Sequence, residues 1–125
     1  MPNPLRDVFL AFARVHILHH ASEEKIFGIG MTQELARHGY ELGPGTLYPL
    51  LHRMESEGLL EAESATVDGK ARKYYTITHK GRSALASIKP KLDELAREVQ
   101  EGEPPHRPAR AAAGRKGNGK YVPGA

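Results

Sequence analysis

Thr46, Tyr48, His52 and Arg53 lie in one short stretch of the chain, and Lys70, Arg72 and Lys73 in another. Hydroxyl, phenol and imidazole groups exchange hydrogen bonds with base edges and phosphates, while guanidinium and ammonium groups match phosphate charge. The chemistry these two stretches offer is recognition of a polyanionic surface. His16, His19 and His20 form a third group, and imidazoles four apart on a helix share a face, as metal ligands require. The chain has no cysteine and no paired carboxylates stand beside these histidines. Hydrogen bonding between packed helices explains them more simply, so no metal and no cofactor is assigned. A metal- or pH-responsive role for His16, His19 and His20 stays as an alternative.

Catalytic readings fail on the same inventory. Without cysteine there is no thiolate nucleophile, disulfide scaffold or cysteine zinc site. Gly28-Ile29-Gly30 lacks the rest of a dinucleotide fingerprint, and no phosphate-loop Gly-Lys-Ser/Thr and no nucleophile, base and orienting group occur together. The chain reads as a binding protein and not an enzyme.

The elements that would position these residues follow from periodicity. Over Pro44 to Glu57 a 3.6-residue period puts Leu47, Leu50, Leu51 and Met54 on one side. Gly45, Tyr48, Pro49, His52 and Ser56 face away, with Arg53 on the flank. Pro44 suits a first helical turn, and Gly58 suits the left-handed residue that ends a helix. Such a helix buries one face and leaves the other free to dock in a DNA groove, with its first N–H groups favouring phosphate. Tyr48 capping the core, and Arg53 pairing with Glu57 one turn on, are the plainer alternatives.

Upstream, Met31 to His38 reads as a short helix with Thr32 as N-cap and Gly39 as C-terminal cap. Downstream the period becomes two. Leu60 to Ser64 is strand-like, Val67 to Lys70 carries the Asp-Gly hairpin signal, and Arg72 to Thr78 is a second strand with Tyr75 inward and Tyr74 outward. Helix, helix and hairpin make the winged-helix order: mainly α with a small β-hairpin. The wing would bring Lys70, Arg72, Lys73 and Tyr74 near the phosphate backbone and a narrow minor groove.

The first helix is apolar nearly all round. Leu5, Val8, Phe9, Phe12, Val15, His16 and His19 form one stripe, and Leu10, Ala11, Ile17 and Leu18 fill much of the other side, so it needs two packing surfaces. A second copy of the chain is the simplest source of one. Thr78 can cap a last helix whose Leu85, Ile88, Leu92, Leu95 and Val99 follow the 3-4-3-4 spacing of a helix-packing seam. Pro90 falls inside that pattern and should bend it, but the phase continues through it. Val8, Phe9, Phe12 and the five seam residues are the dimerisation candidates.

A chain of 125 residues has room for one modest core. The expected organisation is a winged helix-turn-helix domain over 1–79, a dimerisation helix over 80–100 and a disordered basic tail over 101–125. Residues 1–100 carry 13 basic and 13 acidic side chains, while 101–125 carry five basic against two acidic, which is the whole net charge of +3. That tail, with Arg107, Arg110, Arg115, Lys116 and Lys120, could track phosphates or serve as a solvated linker. The apolar run Val8 to Leu18 is broken by Arg14 and is followed by no cleavage pattern. A soluble cytoplasmic protein without membrane partners is expected.

Pro44-Gly45-Thr46-Leu47-Tyr48-Pro49-Leu50-Leu51, Glu57-Gly58-Leu59-Leu60, Arg72-Lys73-Tyr74-Tyr75-Thr76-Ile77-Thr78 and Gly81-Arg82 resemble the PadR-like transcriptional regulators, in order and spacing, over about Leu5 to Ala86. The resemblance implies a winged helix-turn-helix repressor, a homodimer formed by the first and last helices, and an inverted-repeat operator in double-stranded DNA. It also implies that Tyr48 and its neighbours on the recognition helix meet the DNA together with basic wing residues. Two features depart from the family pattern. The aromatic-Gly-Tyr or His-Gly-Tyr triplet that commonly opens the second helix is Phe27-Gly28-Ile29 here. The short last helix resembles the compact branch, so a small-molecule effector would have to bind at the dimer interface, near Phe9, Phe12 or Val15, residues that core packing also explains. A winged-helix module that binds protein instead of DNA is the rival reading.

Overall fold

The computed structural model describes residues 3–102. The element order is α1 (Arg6–Glu23), β1 (Ile26–Phe27), α2 (Gly28–Arg37), α3 (Pro44–Ser56), β2 (Leu60–Val67), β3 (Lys70–Ile77) and α4 (His79–Glu101). The chain divides into two compact units at Lys89 and Pro90. The first holds the winged helix-turn-helix and the start of α4; the second begins inside α4. The helix continues through Pro90 without interruption. The opening of α4 belongs to the first unit, where Leu85 joins the core. The basic tail lies outside the described residues.

Each element has a local cause. In α3, Pro44 opens the first turn, and Leu47, Leu50, Leu51 and Met54 are the buried residues, the same four that the period assigns. Gly58 ends the helix at φ +82°, where Leu59 N–H donates to the Met54 carbonyl at 2.9 Å and Gly58 N–H to that of Glu55 at 2.9 Å. Gly39, at φ +89°, ends α2 in the same way, with Tyr40 N–H donating to the Leu35 carbonyl at 2.8 Å.

The start of α2 differs from expectation. The helix begins at Gly28, and Thr32, expected as its N-cap, lies inside it with its hydroxyl bonded back to the Gly28 carbonyl at 3.1 Å. A Thr at that spacing can satisfy either role locally, and only packing decides. Packing here pulls the start forward, since Gly28 and Met31 are both buried.

The hairpin turns on Asp68 (φ 51°) and Gly69 (φ 77°), both left-handed, as a two-residue type I′ turn needs. β2 and β3 pair antiparallel in unbroken register from Leu60↔Ile77 to Val67↔Lys70. The two-residue β1 adds a third strand on the other edge of β3, with Ile26 opposite Tyr75 and Phe27 opposite Tyr74, giving the order β1-β3-β2. Thr78 links sheet to helix: its hydroxyl donates to the Gly58 carbonyl at 2.5 Å and accepts from Gly81 N–H at 2.9 Å.

The core joins Ala13, Ile17, Leu18 and Ala21 of α1 to Met31 and Leu35 of α2, the α3 stripe, and Leu60, Tyr75 and Ile77 of the sheet. Leu85 of α4 completes it. Burying such side chains contributes roughly 1.5–3 kcal/mol each relative to leaving them exposed. The two-sided apolar pattern of α1 is used unequally. Its C-terminal half fills this core, whereas Leu5, Val8, Phe9 and Phe12 remain exposed.

Candidate nucleic-acid interface

The core fixes which way α3 points. With its leucine stripe inward, Gly45, Tyr48, Pro49, His52 and Arg53 are exposed and Thr46 is half-buried at the flank. Pro49 sits inside the helix on this outer face. It has no N–H for the Gly45 carbonyl, and nothing crowds a side-chain position at Gly45. The first turns of α3 therefore present open backbone to a ligand.

The two flanks of α3 are held by different neighbours. On one side, Arg14 of α1 pairs with Glu57. Glu57 is thus not the partner of Arg53, which forms no ion pair among the described residues. Arg53, Thr46 and Pro49 line one wall of a groove of about 390 Å³ whose other wall includes Arg6, Arg14 and Leu10 of α1. On the other side, the Tyr48 ring rests on Gly28 at the start of α2, so closely that a Cβ there would come within 2.3 Å of the ring edge. Tyr48 still keeps 38% of its surface exposed. Its edge is braced and its remaining surface faces solvent. This contact of Gly28 was missed in the sequence: a close approach between helices leaves no local signal beyond the glycine itself.

The wing's basic residues divide by strand alternation. Lys70 and Arg72 extend from one face of β3, and Lys73 from the other. Arg72 stacks its guanidinium 4.4 Å from the Phe27 ring centre, while Lys73 reaches Glu55 of α3 at 3.7 Å and lies 5.5 Å from the Tyr75 ring. All three are exposed, and Lys70 and Arg72 form no ion pair among the described residues. They do not make one cluster, because successive strand residues point apart. Lys73 reaches α3, whereas Arg72 stacks on Phe27 of β1 and Lys70 stands at the hairpin tip. Tyr75 is buried as expected. Tyr74 is half-buried and packs edge-on against Phe27 at 5.7 Å, with Lys25 Nζ 5.4 Å from its ring. It offers less free surface than its outward position in the strand suggested. Lys25, which also pairs with Glu63 at 3.1 Å, is a further cation beside the wing.

The dimerisation candidates divide as well. Val8, Phe9, Phe12, Leu92, Leu95 and Val99 are exposed. Leu85 is buried in its own fold and Ile88 packs against that core. A seam spacing alone cannot separate the two uses, because the first turns of the helix serve the domain that precedes it.

The histidines regroup. His16, His20 and His38 bring ligand atoms within 4.8 Å of one another. His19 instead faces Glu23 at 3.7 Å and is exposed. The alternative reading groups His16 and His20 with His19; in space they stand with His38. His38, the C-cap of α2, enters because α1 and α2 pack together, a tertiary fact that no local spacing encodes.

A core-directed helix with an outward polar face beside a cationic hairpin is the geometry of a winged-helix reader. The family model of the "Transcriptional regulator PadR-like family" matches residues 17–87. The chain belongs to this family. Transcriptional regulator Rv3488 of Mycobacterium tuberculosis is 52% identical over 99 residues, spanning 79% of this chain and 92% of that protein. A PadR-like transcriptional regulator of Bacillus cereus, 32% identical, superposes with a TM-score of 0.67 over 78% of this chain and 92% of its own. A PadR-like transcription factor from Bacteroides fragilis does so at 29% identity, TM-score 0.67, covering 80% and 98%. The chain is therefore a PadR-family transcriptional regulator with a winged-helix fold, and its family and relatives are regulators, not enzymes. Among the described residues no helix is long and apolar enough to cross a membrane.

Proposed function

We propose that this PadR-family chain is a cytoplasmic, homodimeric, sequence-specific DNA-binding repressor. One observation carries the reading. α3 buries Leu47, Leu50, Leu51 and Met54 and leaves Gly45, Tyr48, Pro49, His52 and Arg53 exposed beside the cations of the wing. Thr46, Tyr48 and His52 hydrogen-bond to bases or nearby phosphates in the major groove, Arg53 contacts phosphate, and Lys70, Arg72 and Lys73 follow the backbone into the adjacent minor groove. The exposed apolar residues of α1 (Val8, Phe9, Phe12) and of α4 (Leu92, Leu95, Val99) support a second copy of the chain as partner. A two-fold dimer presents its recognition helices ~34–36 Å apart, one duplex turn, and so reads an inverted repeat.

The experiment is selection of bound duplexes from a random pool, followed by affinity for the winner and for scrambled DNA. An inverted repeat preferred by ~10³-fold or more is expected. Tyr48→Ala should reduce that preference. Lys73→Ala should weaken all duplexes alike and lower the salt slope by about one. Absence of enrichment would reject operator reading and favour a protein-binding winged helix.

A further inference from the structure

We propose that His16, His20 and His38, with the Glu34 carboxylate, form a binding site for one divalent transition-metal ion of the zinc class. His16 and His20 lie one turn apart on α1, Glu34 is on α2, and His38 caps that helix. The His16 and His38 rings stack at 4.8 Å between centres, and His20 lies 6.3 Å from each. Glu34 Oε2 is 3.1 Å from His38 Nε2 and 3.4 Å from His20 Nε2. Metal bonds of 2.0–2.1 Å in a tetrahedron place neighbouring donor atoms ~3.3 Å apart. The two carboxylate separations match that edge, and the three imidazoles offer donor atoms within 4.8 Å of one another.

The surroundings suit the ion. Arg37 holds the other carboxylate oxygen, Glu34 Oε1, at 2.8 Å, the outer contact that orients a ligating carboxylate. Three imidazoles and one carboxylate, with no cysteine in the chain, favour zinc, cobalt, nickel or copper over magnesium or calcium. Burial lowers the pKa of His16, and the neighbouring His38, His20 and His19 lower it further, against a small opposing pull from Glu34.

The site also has a mechanical consequence. His38 leads through Gly39 and Tyr40 into the loop before Pro44, and Tyr40 packs on His16 with ring centres 5.3 Å apart. An ion there fastens α1 to the C-terminal end of α2 and to the loop that delivers α3. An effect on DNA affinity would rest on the DNA reading above; uptake of the ion does not.

The test is titration of the full chain with Co²⁺, read by its visible absorption, and with Zn²⁺ by competition against a chromophoric chelator, without DNA. One ion per chain with a tetrahedral cobalt spectrum is expected. His38→Ala, at an exposed position, and Glu34→Gln should each lower affinity by at least ~10-fold, and His19→Ala should leave it unchanged. Circular dichroism of each variant separates lost binding from lost folding. No uptake, or uptake equal in wild type and both ligand variants, would overturn the site, as would loss on His19→Ala with retention on His38→Ala. Repeating the operator titration with and without Zn²⁺ reads the coupling separately, so either reading can fail alone.

Discussion

At the residue scale, Tyr48 depends on an absence. Gly28 has no side chain, and the Tyr48 ring occupies the place where one would be. Gly28→Ala must push the ring or the start of α2 away, and overpacking of this kind costs about 1–3 kcal/mol. Urea unfolding should show that loss, with operator preference falling as expected for Tyr48→Ala. Unchanged stability and unchanged preference would mean that Tyr48 is not braced at this point. Tyr75 makes the opposite case: it is 1% exposed and its hydroxyl has no hydrogen-bond partner among the described residues. An orphaned buried hydroxyl is a desolvation penalty, so Tyr75→Phe should be neutral or stabilising by up to ~1 kcal/mol in the same assay. Strand alternation made Tyr75's inward direction legible. The hydroxyl's isolation, the Gly28 contact and the entry of His38 were not, because each depends on what a distant segment brings alongside.

Among the elements, legibility followed self-sufficiency. α3 carries its own start, stripe and stop in Pro44, its leucines with Met54, and Gly58, and so its bounds could be read. The Asp68-Gly69 turn likewise encodes its geometry. β1 is two residues long and exists only because β3 offers an edge, so no period could announce it. The true start of α2 was hidden for a similar reason, since Thr32 is a good cap by type and the buried Gly28 set the boundary. Thr78 is the joint between the sheet and α4. Thr78→Ala removes the cap on Gly81 N–H and the bond to the Gly58 carbonyl together, an expected loss of ~1–2 kcal/mol by thermal or urea denaturation. Thr78→Ser, which keeps the hydroxyl, should recover most of it.

For the whole molecule, the open matter is what covers the apolar side chains outside the core. Leu95 is 51% exposed and Val99 71%, on a helix whose earlier Leu85 is buried. If a second copy covers them, Leu95→Glu should move the chain from dimer to monomer at micromolar concentration in sedimentation, with operator affinity falling while the melting of the winged unit holds. A monomeric wild type would remove the two-fold geometry on which an inverted repeat depends. The sequence suggested additional surface for α1 and α4; it could not tell which of their apolar residues enter the chain's own core.

The outer part of the wing has a separate consequence. Strands β2 and β3 keep pairing beyond Tyr75, the last large buried side chain toward the tip, as far as Val67 and Lys70. From Asp68 to Lys73 every residue is exposed. Backbone pairing and a two-residue turn therefore hold this part in place with little help from the core. Outside the Asp68-Gly69 turn, charges there can be gained, lost or exchanged over generations at little cost to the fold, whereas the α3 face cannot change far before it disturbs Gly28 or the leucine stripe. Related regulators should accordingly diverge first in the wing, altering how tightly they hold DNA before they alter which sequence they read.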